Sequence, residues 1–195
     1  MPATNPLACR VLAALALALA AAGAVPAMAQ DTEEAGGRGE VYGGVYAHAV
    51  DTPFTLETNE GGIDLQLGYR FAPVEALRAI GSPEPYVFAS VNTDGDTNFA
   101  GVGLSWKAEL GPVYLRPGLG VVVHDAPSRR VDTVRGVRTD LGSRVLFEPE
   151  IALGTQLSPR VSIEASWVHI SNARLFNSRQ NPGIDTIGVR LNYRL

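Results

Sequence analysis

Strict alternation of apolar and polar residues runs through most of this chain, and it constrains the fold more than any other feature. From Ile63 to Phe71, every odd-numbered residue is aliphatic or aromatic, and the even-numbered residues are Asp, Gln, Gly and Arg. Because successive side chains of a β-strand point to opposite faces, this period-two pattern predicts strands with one apolar face. The same pattern marks further segments at Val102–Leu110, Val113–Val123, Val145–Leu153, Val161–Ala173 and Thr186–Leu195. Two weaker segments, Val41–Val50 and Tyr86–Val91, bring the predicted number of strands to eight.

The polar face of these strands indicates what kind of all-β protein this is. Strands of about nine to eleven residues are long enough to cross a bilayer when tilted. Charges line the polar face, and the interior of a narrow barrel accommodates them better than a second solvent face does. The prediction is therefore an eight-stranded antiparallel transmembrane β-barrel of the outer membrane, covering residues 40–195. A secreted β-sandwich and a soluble lipocalin-like barrel are the alternatives. The charged residues are Asp64, Arg70, Lys107, Arg116, Arg144, Glu148 and Glu150.

The connections between strands alternate in length, which also favours a membrane barrel. Short turns are expected at Gly111-Pro112 and Leu157–Pro159. Long connections are expected at Asp51–Gly61, Asp125–Gly142 and Asn172–Ile184. Outer-membrane barrels have short periplasmic turns and longer extracellular loops, so these three connections should face the cell exterior.

Two prolines interrupt the predicted strands. Pro117 and Pro149 fall inside alternating segments, where each removes a donor from the hydrogen-bond ladder. A bulge or a bend is therefore expected at both positions.

The N-terminal segment has the features of an export signal. Arg10 precedes an apolar run over residues 11–25, which ends in the cleavage pattern Ala27-Met-Ala29. Residues 1–29 are therefore predicted to be a cleaved signal peptide, and residues 30–39 a flexible polar tail. The only cysteine, Cys9, lies inside the signal. The formal net charge of −4 argues against nucleic acid as a partner.

Three polar residues share the parity of the apolar face near the C-terminus. His169, Ser171 and Asp185 occupy odd positions, as the neighbouring apolar residues do. The three should therefore lie on the outer surface, facing lipid near the outer ends of the last two strands. If Ser171 lies opposite Asp185, His169 is the diagonal neighbour of both.

This combination of side chains suits ester hydrolysis. A serine hydroxyl becomes a good nucleophile when a positioned histidine takes its proton, and a carboxylate orients that histidine. Asn172 could donate its amide to the oxyanion of a tetrahedral intermediate. Ionisable groups on a lipid face are costly and so are usually functional. The alternative is that these residues are ordinary polar strand ends. His48 and His124, at other strand ends, are expected to be solvated rim residues.

The C-terminal motif resembles that of a known family. His169-Ile-Ser-Asn-Ala173, followed by Asn181-Pro-Gly-Ile-Asp185, resembles the signature of the outer-membrane lipid A 3-O-deacylases, the PagL family. The chain departs from that family in having aspartate where the family acid is glutamate, and in a slightly longer segment between the two halves. The resemblance implies the following roles: nucleophile Ser171, base His169, acid Asp185, oxyanion donor Asn172, site-shaping Asn181 and Gly183, and acyl-groove Phe147.

The resemblance also implies a function. It predicts an outer-membrane esterase that removes the 3-position acyl chain from lipid A and releases a 3-hydroxy fatty acid. No cofactor and no metal are expected, and the partner is lipid A, or lipopolysaccharide, in the outer leaflet. The alternative is a non-catalytic small outer-membrane barrel with a structural or adhesive role.

Overall fold

The structure is a computed structural model that describes residues 39–55, 58–126, 130–132, 137–139, 141–173 and 183–195. The predicted signal peptide, residues 30–38 of the predicted tail, and Asn181 lie outside the described residues. No helix in the described ranges is both long and apolar enough to cross a membrane.

Eight strands form a closed antiparallel barrel, as the alternation predicts. The sheet order is β4-β3-β2-β1-β11-β10-β9-β6, and pairing between β4 and β6 closes it. A short strand, β5, continues β4 along β6, and β7 and β8 form a separate ribbon. The strands are β1 (Glu40–Ala47), β2 (Ile63–Arg70), β3 (Glu84–Asn92), β4 (Phe99–Ser105), β5 (Ala108–Leu110), β6 (Val113–His124), β7 (Arg130–Asp132), β8 (Val137–Thr139), β9 (Val145–Ser158), β10 (Val161–Ile170) and β11 (Ile184–Arg194).

The connections divide between the two ends of the barrel. Glu40 pairs with Arg194, so the first strand begins and the last strand ends at the same end. The tight turns lie at that end too, together with the connection 71–83. The connections 48–62, 93–98, 125–144 and 171–183 lie at the opposite end, called the outer end below.

The connection 71–83 contains a 3-10 helix, Glu75–Ile80, that the alternation did not predict. Trp106 Nε1 donates a hydrogen bond to the Ile80 carbonyl at 2.8 Å, which ties this helix to the barrel wall. The helix accounts for the unusual length of this connection.

The barrel interior holds a network of paired charges and also a cluster of buried aromatic and aliphatic side chains, while the outer wall is apolar. Arg116 contacts Glu40 at 3.2 Å and Glu164 at 2.9 Å, and Arg190 binds Glu150 through two nitrogens, at 2.9 and 3.2 Å. Buried charges are tolerated when they are paired in this way. A lipocalin-like carrier would have an apolar interior and a polar exterior, so the interior charges and the apolar outer wall together contradict that alternative. Exposed apolar residues on the outer wall include Val45, Leu65, Leu67, Val91, Val102, Leu119, Val123, Ile151 and Leu191.

Two of the seven charged residues expected inside are placed differently. Arg144 is exposed just before β9, where its Nη1 donates to the Ala126 carbonyl at 2.6 Å. Lys107 is half-buried in the break between β4 and β5, with its Nζ 4.2 Å from the centre of the Tyr114 ring. The odd–even pattern predicted the placement of the charged residues correctly within the strands. It was wrong for Arg144 and Lys107, which lie outside them.

The strand prolines interrupt ladders without producing bulges. β6 and β9 keep one register past both of them, with Pro117 opposite Ile151 and Pro149 opposite Leu119. The Trp106 N–H donates to the Pro117 carbonyl at 3.0 Å, but Pro117 has no N–H to donate in return. The β4 ladder therefore breaks at this point.

Candidate active site

The candidate site lies on the outer wall of the barrel at its outer end. Along β10 the even-numbered residues are buried in the interior, and the odd-numbered residues are half-buried on the outer wall. His169 is the last odd-numbered residue of β10, and Ser171 follows it on the same face. Asp185 is the second residue of β11, the neighbouring strand.

The strand register brings His169 and Asp185 directly together. His169 is the cross-strand partner of Asp185 in the β10–β11 ladder. The register considered above, with Ser171 opposite Asp185, is therefore not the one adopted, because Ser171 lies two residues beyond His169. Ser171 instead pairs with Phe147 of β9, through backbone hydrogen bonds of 2.8 and 3.0 Å.

The imidazole and the carboxylate are hydrogen-bonded in a defined sense. His169 Nδ1 lies 2.7 Å from Asp185 Oδ1. A carboxylate only accepts hydrogen bonds, so Nδ1 carries the proton. In the neutral ring Nε2 then keeps its lone pair and is the nitrogen able to accept a proton. The pair has the geometry of an orienting acid and a general base.

Asp185 has two further donors that the sequence pattern did not single out. Trp167 Nε1 donates to Oδ1 at 3.0 Å, and Thr52 Oγ1 donates to Oδ2. Trp167 shares the parity of His169 and could have been noticed from the pattern. Thr52 stands far earlier in the chain and gives no local signal.

The connection 48–62, called the first outer connection, covers Asp185. Asp185 is therefore not on the lipid-facing surface. The Val50 N–H donates to the Asp185 carbonyl at 2.8 Å, and the Phe54 ring packs on the Trp167 ring with centroids 5.5 Å apart. The Asp185 side chain has no exposure, while that of His169 is 16% exposed. The expectation that all three residues face lipid fails for Asp185, because a connection distant in sequence folds over it, and it also fails for Ser171, which is buried.

A glycine without a side chain and a proline without a backbone N–H lie beside His169. A Cβ added to Gly183 would lie 2.5 Å from His169 Cε1, so this position accepts no side chain while the ring keeps its place. The β9–β10 ladder keeps one register from Ser162 to Val168, and the same register puts Pro149 opposite His169. Pro149 has no N–H to pair with His169, so the ladder is interrupted beside the imidazole.

Ser171 and Asn172 point to opposite sides of the wall. Ser171 is only 5% exposed, and its Oγ accepts a 3.4 Å hydrogen bond from the Ala173 N–H. Asn172 is fully buried, and its Nδ2 donates to the Leu141 carbonyl at 2.9 Å. An oxyanion role would require the Asn172 amide to turn from Leu141 towards the outer wall. Phe147 is half-buried on the outer wall beside Ser171.

The expectation that His48 is a solvated rim residue is wrong. His48 is 4% exposed, and its ring lies 2.8 Å from both Asp64 and Glu60. Both partners are carboxylates, so both ring nitrogens donate and the ring is a cation. Burial lowers the pKa of His48, but the hydrogen bonds to Asp64 and Glu60 outweigh burial and raise that pKa to about 9. His124 is half-buried and bonds the Ser143 carbonyl through Nε2 at 2.7 Å.

Among the described residues, no group of three or more His, Cys, Asp or Glu side chains is arranged to hold a metal ion. The chemistry that this arrangement can perform is proton transfer at His169 Nε2, with Asp185 holding the ring.

Comparison with known proteins identifies a family for most of the chain. The family model "Lipid A 3-O-deacylase (PagL)" matches residues 41–194. No curated protein matches the chain.

Several solved structures share the fold. The crystal structure of the outer membrane enzyme PagL is 16% identical over 80% of this chain and 99% of that chain, with a TM-score of 0.53. Neisserial surface protein A (NspA) is 9% identical over 80% and 97% of the two chains, and the N-terminal β-barrel domain of Pseudomonas aeruginosa OprF is 8% identical over 82% and 99%; each has a TM-score of 0.50.

At these identities the structural likenesses establish the fold, an outer-membrane β-barrel, and leave the activity open. The family match is the more specific finding, because it spans the barrel from its first strand to its last. It confirms the resemblance drawn from the C-terminal motif. This chain belongs to the PagL family of lipid A 3-O-deacylases.

Proposed function

We propose that this protein is a serine esterase of the outer membrane that hydrolyses the 3-O-linked acyl ester of lipid A and releases a 3-hydroxy fatty acid. The observation that carries the proposal is the 2.7 Å hydrogen bond between His169 Nδ1 and Asp185 Oδ1 on the outer wall. The site lies at the outer end of the barrel, so an outward-facing outer end would place it beside lipid A of the outer leaflet.

In the first half of the proposed reaction, His169 Nε2 takes the proton of the Ser171 hydroxyl while Ser171 Oγ attacks the ester carbonyl. Asp185 stabilises the imidazolium that results. Asn172, turned from Leu141, is our candidate donor to the oxyanion. The intermediate then collapses, the acyl–oxygen bond breaks, and His169 gives the proton to the sugar oxygen, which leaves as a hydroxyl.

In the second half, water attacks the acyl-enzyme and gives up its proton to His169 Nε2. Collapse of the second intermediate returns that proton to Ser171 and frees the fatty acid. The outer wall below the site supplies an apolar surface for the acyl chain. Trp167 stands there between its cross-strand partners Ile151 and Ile187, and Phe147 lies beside Ser171.

The direct test is incubation of the purified, folded barrel with lipid A, followed by mass spectrometry. The wild-type protein should remove the mass of one hydroxyacyl chain. Ser171→Ala and His169→Ala should each lower the rate by several orders of magnitude, because members of such a site act as a unit. Ser158→Ala, a serine at the opposite end of the barrel, is the matched control and should keep the wild-type rate.

Heat-modifiable gel migration reports whether each variant is folded. Full activity in folded Ser171→Ala protein would eliminate serine chemistry. Failure of the wild-type protein to act on lipid A or any other acylated lipid would favour the structural or adhesive alternative.

A further inference from the structure

The connection that covers Asp185 also supplies a donor to it. The Thr52 hydroxyl accepts a 3.1 Å hydrogen bond from the Phe54 N–H. Its single hydrogen is donated to Asp185 Oδ2. Because the hydroxyl already accepts from the backbone of its own turn, its orientation is set by that turn.

The two oxygens of Asp185 are thereby divided between different donors. Oδ1 accepts from His169 Nδ1 at 2.7 Å and from Trp167 Nε1 at 3.0 Å, while Oδ2 accepts from Thr52. The terminal torsion of an aspartate is soft, so the carboxylate plane is fixed only by its partners. Without Thr52, a fully buried Oδ2 would lose the donor that defines that plane.

We propose that Thr52 is a positioning residue of the reaction, holding the carboxylate of Asp185 so that Oδ1 faces His169. This inference rests on the proposed function and extends the site to the first outer connection. It also explains how an aspartate can take the place of the family's glutamate as the orienting acid. The direct pairing of His169 with Asp185 lets the short arm reach the imidazole, and Thr52 fixes its rotation.

The test is a pair of substitutions at Thr52 with a matched control. Thr52→Val keeps the branched shape and removes the hydroxyl, and it should lower kcat by about 10- to 100-fold with little change in KM, as expected for loss of a hydrogen bond to a charged group. Thr52→Ser restores the hydroxyl and should recover most of the rate. Thr155→Val removes a threonine hydroxyl that donates to the Pro112 carbonyl at 2.8 Å at the opposite end, and it should leave kcat unchanged.

A double-mutant cycle separates positioning from general stability. Thr52 acts through the carboxylate of Asp185, so Thr52→Val should cost little more in an Asp185→Asn background. A structural role would cost the same in both backgrounds.

A second readout does not depend on turnover. In proton NMR, the His169 Nδ1–H shared with Asp185 should give a low-field resonance that Asp185→Asn abolishes. Thr52→Val should shift or broaden it, and Thr155→Val should leave it unchanged.

The outcomes are distinguishable. If folded Ser171→Ala keeps wild-type activity, the proposed function fails, and the resonance alone decides whether Thr52 orients Asp185. If Ser171→Ala and Asp185→Asn lose activity while Thr52→Val keeps both the wild-type kcat and the wild-type resonance, the positioning role is overturned and the proposed function stands.

Discussion

The carboxylate of Asp185 is the residue-scale feature on which the candidate site depends. It is directly opposite His169, has no exposure and accepts hydrogen bonds from three side chains, two on β10 and one on the first outer connection. The family acid that it resembles is a glutamate, which is one methylene longer. The structure shows how the shorter side chain meets the imidazole without an intervening water, because the two residues are cross-strand partners.

Two substitutions of Asp185 should separate the effect of its charge on the rate from the effect of its side-chain length. Asp185→Asn should lower kcat by about 10⁴-fold, because a neutral amide neither fixes the tautomer of His169 nor stabilises its cation. Asp185→Glu keeps the charge but adds a methylene to a fully buried position, so it should retain measurable but reduced activity. Initial rates on lipid A measure both. If both variants had the same rate, close to that of the wild type, Asp185 would be only a polar residue at the end of its strand.

The space left by Gly183 can be tested in the same assay. In Gly183→Ala, the new methyl group would lie 2.5 Å from His169 Cε1 and must displace the ring. The rate should fall by one to two orders of magnitude, since a shift of about 1 Å near the chemistry costs about 100-fold. Gly61→Ala is the control, because its added Cβ meets no atom within 4 Å. Unchanged kinetics in Gly183→Ala would mean that the ring tolerates displacement.

At the scale of elements, the first outer connection is held at two places. One is the set of contacts with Asp185 and Trp167 described above. The other is His48, which immediately follows β1 and bonds Asp64 of β2 and Glu60. Asn92 of β3 donates to Asp64 at 2.9 Å, and Thr97 donates to Glu60 at 2.9 Å, which extends this cluster across the barrel mouth. The cluster therefore fixes both ends of the segment that covers the candidate site.

The His48 cluster predicts a pH dependence of this connection. The pKa of His48 is about 9 in the folded barrel, against 6.5 for an unperturbed histidine, so the cation stabilises the fold fully below pH 6.5. That contribution, about 3 kcal/mol, is lost as the pH rises through about 9. The carboxylates that contact the ring, Glu60 and Asp64, are the source of the stabilisation.

Chymotryptic cleavage after Phe54, which is 66% exposed, reports the release of the connection. Between pH 7 and pH 10 the wild-type protein should become more susceptible relative to His48→Gln measured at the same pH. The His48→Gln variant lacks the cation and should be susceptible throughout. The same wild-type-to-variant ratio at every pH would contradict the role of the His48 cation.

At the scale of the whole molecule, the barrel encloses a charged network and an apolar cluster, and its outer wall is apolar. The connections at the outer end surround the candidate site, while the termini of the barrel lie at the other end. A site that acts on the outer leaflet requires the outer end to face the cell exterior. In an outer-membrane barrel the termini are then periplasmic.

A pair of epitope tags tests this orientation. Gly95 and Gly111 lie in turns at opposite ends, and at both positions an added Cβ would meet open space. A tag at Gly95 should be labelled on intact cells. Because the connections 48–62, 125–144 and 171–183 lie at the same end, this result would place them outside the cell as well. A tag at Gly111 should be labelled only after permeabilisation. The reverse pattern would place the candidate site in the periplasmic leaflet and remove its access to lipid A.

The sequence by itself determined the barrel and the approximate position of the site. A strand has a period of two, so alternation fixes the face of each residue without knowledge of its partners. The eight predicted strands, most of the charged residues of the interior and the outward parity of His169 all followed from this local rule. The motif from His169 to Asp185 identified the family that the comparison confirms.

Only the tertiary structure decided how the site is assembled. Register depends on which residues pair across strands, so the direct pairing of His169 with Asp185 could not be derived from parity. The burial of Asp185 depends on the connection between β1 and β2, which lies beside β11 because the first and last strands of the chain pair with each other. Thr52 and His48 belong to this connection, and the hydrogen bond from Thr52 to Asp185 joins residues far apart in sequence. Alternation carries no information about such contacts, because it describes the faces of a strand and not what folds over them.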